Sequence, residues 1–233
     1  MRKDTKPIPI EAQRAETLGL CQTLVASIQD PAARTLAIDL IGDEQVIAAP
    51  TDTVYGVMCR FDSAAGIERL YLAKDRPPQK AIPVLLAGVD QLAHLVAGEL
   101  PSHAQRLIDH FWPGPLTLVL PAQPRLLATL TAGQPTIAVR MPAHAALQTL
   151  LCATGPLAAT SANRSGWPDT NTAAAVLAQL GGRIPLILAD DEAADRRKLP
   201  MPSTIVDLTV SPARILRPGP IATDVEKVLG TRC

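Results

Sequence analysis

"PTDTVYGVMCRFDSAAGIERLYLAKDRPPQKAIPVLL", residues 50–86, holds the pattern from which the fold is read. Ile67, Leu70, Tyr71 and Lys74 recur at three- and four-residue spacing behind Ser63, a residue suited to capping, so the middle of the stretch reads as a helix. It runs into "AIPVLLAG", an apolar segment of strand length, and "QVIAAP" just before it is another. Strand, helix, strand in that order predicts an α/β arrangement.

The alternation continues in both directions. Helices are expected near 90–97, 102–111, 143–152 and 171–180, the last closed by Gly181 and Gly182. Between or after them lie the strand-like segments "LTLVLPA", "TIAVRMP", "PLAAT", "IPLILAD", "STIVDL" and "ARILRP". The bunching of three of these near the C-terminus predicts a mixed sheet. Upstream, Asp30 before Pro31 opens a helix that Gly42 ends. From Ala15, the residues Leu18, Cys21, Leu24, Val25 and Ile28 make one helical stripe, and residues 1–10, polar with two prolines, read as a loose arm. The expected division is an N-terminal extension, 1–32, and one domain, 33–233.

Lys plus Arg equals Asp plus Glu at 22 each in 233 residues, so no overall field draws the chain to nucleic acid or an anionic membrane. Any affinity for anions must be local. Aromatics at 3 % also speak against general nucleic-acid binding by stacking. Cys21, Cys59, Cys152 and Cys233 are too scattered for a zinc site, a redox pair or a disulfide framework, which makes a reducing cytoplasm the expected location. No signal peptide is read around Cys21, and no apolar run approaches the ~18 residues of a membrane span.

Phosphate-loop, dinucleotide, nucleophile-elbow and zinc-helix motifs are absent, and His94, His103, His110 and His144 lack metal-ligand spacing. What remains is a set of polar residues at strand ends: "PTDT", "KDRPPQK", Arg140, "TSANRSG", "PST" and Arg217. Loops leaving strand C-termini are expected to converge on one rim, where ligands bind. In "KDRPP" the prolines disfavour helix for the residues before them, so Lys74 and Arg76 point the same way from an extended segment. They form either a cationic clamp suited to a polyphosphate or a solvated helix end. Thr160, Ser161 and Asn163 are either ligand donors or an ordinary Ser/Asn turn.

Together, "APTDTVYGV", "KDRPPQKAIPVLL", "FWPGPLTLVL", "IAVRMPAH", "ATSANRSGWP", "PSTIVDL" and "ILRPGPI" stand in the order found in the YrdC family of threonylcarbamoyl-AMP synthases. The chain resembles that family over residues 33–221. The resemblance implies an open twisted sheet around a deep, basic cavity, and the reaction of L-threonine, bicarbonate and ATP, with Mg2+, to L-threonylcarbamoyl-AMP and pyrophosphate. The product then passes to a tRNA threonylcarbamoyltransferase. Lys74 and Arg76 would be catalytic. Thr53, Arg140, Ser161 and Ser203 would hold threonine. Lys74, Arg76, Lys80, Thr136, Asn163, Asn171 and Arg217 would hold ATP, with Thr117 and Thr160 lining the cavity. Leu85 stands where longer two-domain members carry a histidine, and the chain resembles the short, single-domain form. The alternatives are a module that docks double-stranded RNA or tRNA, and a related carbamoyl-adenylate-forming enzyme.

Overall fold

The Asp30 carboxylate accepts the Ala32 N–H at 2.9 Å, and Pro31 fills the first turn of α1, Pro31–Gly42. Ser63 accepts the Gly66 N–H at 2.9 Å to start α2, Ala64–Lys74. The computed structural model describes residues 22–190 and 201–230. Its other helices are α3 (Ser102–Phe111), α4 (Ala128–Thr131), α5 (Ala145–Thr154), α6 (Ala173–Leu180), α7 (Ala222–Gly230) and a 3-10 turn, Val89–His94.

Ten strands form one mixed sheet: β1 (Leu24–Ser27), β2 (Ile47–Ala49), β3 (Gly56–Arg60), β4 (Val84–Leu85), β5 (Leu116–Pro121), β6 (Thr136–Arg140), β7 (Leu157–Ser161), β8 (Leu186–Ala189), β9 (Thr204–Asp207) and β10 (Arg214–Arg217). Their order across the sheet is β1-β8-β2-β3-β7-β4-β6-β5-β9-β10.

Strand alternation splits the apolar residues between two faces. Ala37, Ile41, Leu147 and Leu150 of α1 and α5 pack with Ile47, Met58, Leu157 and Leu186 on one. Ile67, Leu107, Val176 and Val225 of α2, α3, α6 and α7 pack with Val57, Leu118, Ala158 and Ile187 on the other. The first cluster draws nothing from β5, β6, β9 or β10. Among the described residues, that face stays open over those four strands.

Three expectations are corrected. Leu24 and Val25 belong to a strand and not to a helix: β1 runs parallel to β8, with the Ile28 N–H on the Ala189 carbonyl at 2.7 Å. The helical spacing there is fortuitous, because Leu24 and Val25 are exposed and only Ile28 is buried. Leu18, Cys21 and the arm 1–10 lie outside the described residues, as does most of the loop-like 190–202 stretch. Second, "GVMCR" is a strand, β3, antiparallel to β2, so "PTDT" joins two strands. It is buried along nearly its whole length and therefore shows no alternation to read. Third, β6 and β10 run opposite to β2 and β7. The polar segments thus reach the site from both edges of the sheet. No described helix is long and apolar enough to cross a membrane.

Thr204 on β9 is fully buried, and its Oγ1 has no hydrogen-bond partner among the described residues. Thr204→Val exchanges that hydroxyl for a methyl group of the same shape. It is expected to raise unfolding stability by up to about 1 kcal/mol, read from the urea midpoint.

Candidate functional site: an arginine-anchored cleft

The loop between β2 and β3 is a self-bonded turn. Thr51 Oγ1 donates to the Val54 carbonyl at 2.7 Å, accepts the Thr53 N–H at 3.0 Å and lies 3.0 Å from Thr53 Oγ1. Its single proton is spent on Val54, so Thr53 is the donor in the hydroxyl pair. Thr53 Oγ1 in turn accepts from Arg140 Nη1 at 2.8 Å. The turn therefore presents Thr53 to Arg140 in one fixed sense.

Arg140 closes β6 and is 6 % exposed. Nε donates to the Gly114 carbonyl at 3.0 Å and Nη2 to Asp52 Oδ1 at 2.6 Å. Burial works against the guanidinium charge, and Asp52 opposes that shift. A guanidinium has five N–H groups. The bonds to Gly114, Thr53 and Asp52 take one on each nitrogen, which leaves one on each terminal nitrogen for a ligand.

Next to Arg140 the sheet supplies a row of cleft residues. Leu85 pairs with Arg140, Thr117 pairs with Ile205, and Ile205 pairs with Arg217. Thr117 follows from the β5–β6 register, one step beyond the Leu118–Val139 pair. Thr117 and Ser203 share a 2.8 Å hydroxyl–hydroxyl bond. Arg217 donates through Nε and Nη2 to the Ser203 carbonyl at 3.1 and 2.9 Å, and through Nη2 to Ser203 Oγ at 3.2 Å. Burial depresses the Arg217 pKa, Asp169 raises it, and Arg140 lowers it again, so the two arginines feel one another. Gly219 makes the approach possible: a Cβ there would lie 2.4 Å from the Thr204 nitrogen and 2.7 Å from the Pro202 carbonyl oxygen.

These residues enclose a cleft of about 120 Å³ that opens to solvent. Thr53, Arg140, Ser161, Ser203 and Arg217 line it, together with Thr117, Thr160, Leu85 and Ala159. Among the described residues, Arg140 and Arg217 are its cations.

The other expected residues lie elsewhere. Lys74 is 2 % exposed and donates to the Ser161 carbonyl, to the Asn163 carbonyl at 2.5 Å and to Asn163 Oδ1 at 3.4 Å. Burial, helped by Arg76 and opposed by Asp169, pulls its pKa down to about 7. Asn163 is consumed by its own loop: Oδ1 accepts from Ser161 Oγ at 2.6 Å, and Nδ2 donates to the Arg164 and Trp167 carbonyls. The extended clamp does not form, because Lys74 is still helical and Asp75 turns the chain at φ 51°. Aspartate tolerates that left-handed conformation better than most residues. Arg76 instead donates to the Lys80 and Ala81 carbonyls at 3.3 and 2.8 Å, and Lys80 is exposed. Thr136 stands at the far end of β6, about 13 Å from Arg140 by strand rise. Asn171 Oδ1 is buried without a hydrogen-bond partner among the described residues.

Sequence reasoning quoted Asp52 and Gly219 but gave neither a role. The signal for Asp52 was an acid inside a threonine turn, and for Gly219 a glycine just after a site arginine. Cys59 is no nucleophile, since burial pushes its thiol up to about 12. Among the described residues no three His, Cys, Asp or Glu side chains group as a metal set.

A mixed sheet with two arginines and paired hydroxyls in one cleft defines an α/β protein with a basic, hydroxyl-lined cleft. The family model Sua5_yciO_yrdC, described as telomere recombination, matches residues 39–219, and the chain belongs to that family. The threonylcarbamoyl-AMP synthase of Pyrococcus abyssi is 38 % identical over 197 residues, covering 84 % of this chain and 56 % of its own. That of Bacillus subtilis is 36 % identical over 207 residues, covering 88 % and 58 %. A crystal structure of P. abyssi Sua5 complexed with L-threonine superposes with a TM-score of 0.81 at 34 % identity, covering 89 % of this chain and 61 % of that one. The chain thus spans somewhat over half the length of these relatives.

The Arg140–Asp52 pair is buried at 7 % and 11 % side-chain exposure, whereas Arg60–Asp62 is exposed at 43 % and 48 %. Asp52→Ala strands a buried cation and is expected to cost about 3–5 kcal/mol of stability. Asp62→Ala is expected to cost no more than about 1 kcal/mol. Urea unfolding of both variants checks the contrast.

Proposed function

We propose that this chain is an L-threonylcarbamoyl-AMP synthase, joining L-threonine, bicarbonate and ATP into L-threonylcarbamoyl-AMP with release of pyrophosphate. The observation that carries the reading is the pairing of two unlike arginines across one cleft. Arg140 is neutralised by Asp52 and keeps one N–H on each terminal nitrogen, which suits a single carboxylate. Among the described residues no carboxylate is bonded to Arg217, which rests on Ser203 instead, and this suits a phosphate.

Condensation of the threonine amine with bicarbonate gives a carbamate and water. A carbamate oxygen then bonds to the α-phosphorus, the bond from that phosphorus to the bridging oxygen breaks, and pyrophosphate carries the electron pair away. Such transfer asks for positioning and fixed charge more than for covalent chemistry. The Thr53, Ser161 and Ser203 hydroxyls and Arg140 orient threonine, and Arg217 faces the phosphates. ATP enters as its magnesium complex. Arg76, Lys80, Thr136, Asn163 and Asn171, though not cleft-lining in the ligand-free chain, remain the candidate contacts for the rest of the nucleotide. The product is a mixed anhydride, suited to immediate use by a tRNA threonylcarbamoyltransferase in the same cytoplasm.

Pyrophosphate release is expected to require threonine, bicarbonate and ATP together. Release indifferent to threonine would reject the reading, and RNA binding without release would favour a docking module. Arg217→Ala is expected to lower kcat/KM for ATP at least tenfold, about 1.4 kcal/mol, with unchanged far-UV circular dichroism.

A further inference from the structure

The Lys74 ammonium points away from solvent and into the loop that follows β7. Its acceptors are the Ser161 carbonyl, the Asn163 carbonyl at 2.5 Å and Asn163 Oδ1 at 3.4 Å. The backbone of the same residue also holds this loop, since the Ser165 N–H donates to the Lys74 carbonyl at 2.8 Å. One residue on, the Asp75 carboxylate accepts from Arg164 Nε and Nη2 at 3.2 and 2.7 Å. Consecutive residues of opposite charge at the end of α2 therefore grip one loop at Ser161, Asn163, Arg164 and Ser165.

That loop is a wall of the cleft through Ser161. The Ser161 hydroxyl is itself aimed by Asn163, whose Oδ1 accepts it at 2.6 Å, and Asn163 is what Lys74 holds. An ammonium has three protons, and three protein oxygens surround this one.

We propose that Lys74 is a positioning residue for the amino-acid half of the cleft: its ammonium and carbonyl brace residues 161–165 and so set the place of the Ser161 hydroxyl before any nucleotide arrives. The amino-acid probe rests on the proposed function, but the brace itself does not. A lysine that acted only on phosphates would leave amino-acid binding alone when ATP is absent. A brace would not.

The test uses the full chain as wild type, Lys74→Met and Lys74→Gln, with amide hydrogen exchange of the ligand-free proteins and calorimetric titration of L-threonine without ATP. In Lys74→Met, exchange at Asn163 and Ser165 is expected to rise at least tenfold, and the L-threonine Kd to rise at least tenfold. Lys74→Gln keeps two N–H donors and is expected to recover part of both losses, a rescue that a mere space-filling role would not give. Exchange and Kd within twofold of wild type in Lys74→Met would overturn the proposal, as would raised exchange with unchanged Kd. If Lys74→Met does not fold, wild-type exchange in Lys74→Gln overturns it. A wild type that binds no L-threonine would defeat the proposed function, while the exchange data would still decide the brace.

Discussion

Arg140 is the constraint around which the cleft is organised. A guanidinium buried to this depth is tolerable only with its charge matched and its protons placed, and three residues from two separate segments share that work. Asp52 supplies the charge, Thr53 takes one proton from the side, and the Gly114 carbonyl takes one from behind. Those partners come from the β2–β3 turn and from the approach to β5. Meeting the needs of one side chain therefore fixes how parts of the chain distant in sequence are arranged around the open face of the sheet.

The same side chain explains why the two sides of the cleft differ. Beside Asp52 the site is close to neutral and rich in hydroxyls. Towards β9 and β10 the Asp169 carboxylate acts on Arg217 through space and is opposed by Arg140. The two ends of one strand row, from Leu85 to Arg217, thus carry different charged partners. A zwitterion and a polyanion would each find a different end of it.

Much of this was legible in the sequence, because caps and strand-length apolar runs are local signals. Asp30–Pro31, Ser63 and Gly181 mark real helix ends, and the strands from β4 onward fall within the segments read as strands, save for Ser161 at the end of β7. The mixed character of the sheet was also readable from the crowded C-terminal strands. The direction of individual strands was not, since it depends on pairings between residues far apart in sequence, and so two edges were mistaken for one rim. Stretches without alternation failed for a related reason: β3 is buried on both faces, and β1 is exposed on an edge. Thr53, Arg140, Ser161, Ser203 and Arg217, which stand next to apolar runs in the sequence, line one cleft. The extended Lys74–Arg76 pair read from the prolines does not form, because Lys74 is still helical and a left-handed aspartate at position 75 redirects Arg76.

The strand row from Leu85 to Arg217 also limits how this architecture can change over evolutionary time. Side chains alternate along a strand, so gaining or losing one residue within β6 would carry Arg140 to the opposite face and leave Asp52 without its counter-ion. Length variation among descendants of this chain should therefore collect in connections such as the one ahead of β9. Inside β5, β6 and β9 the same alternation of side chains holds the residue count fixed.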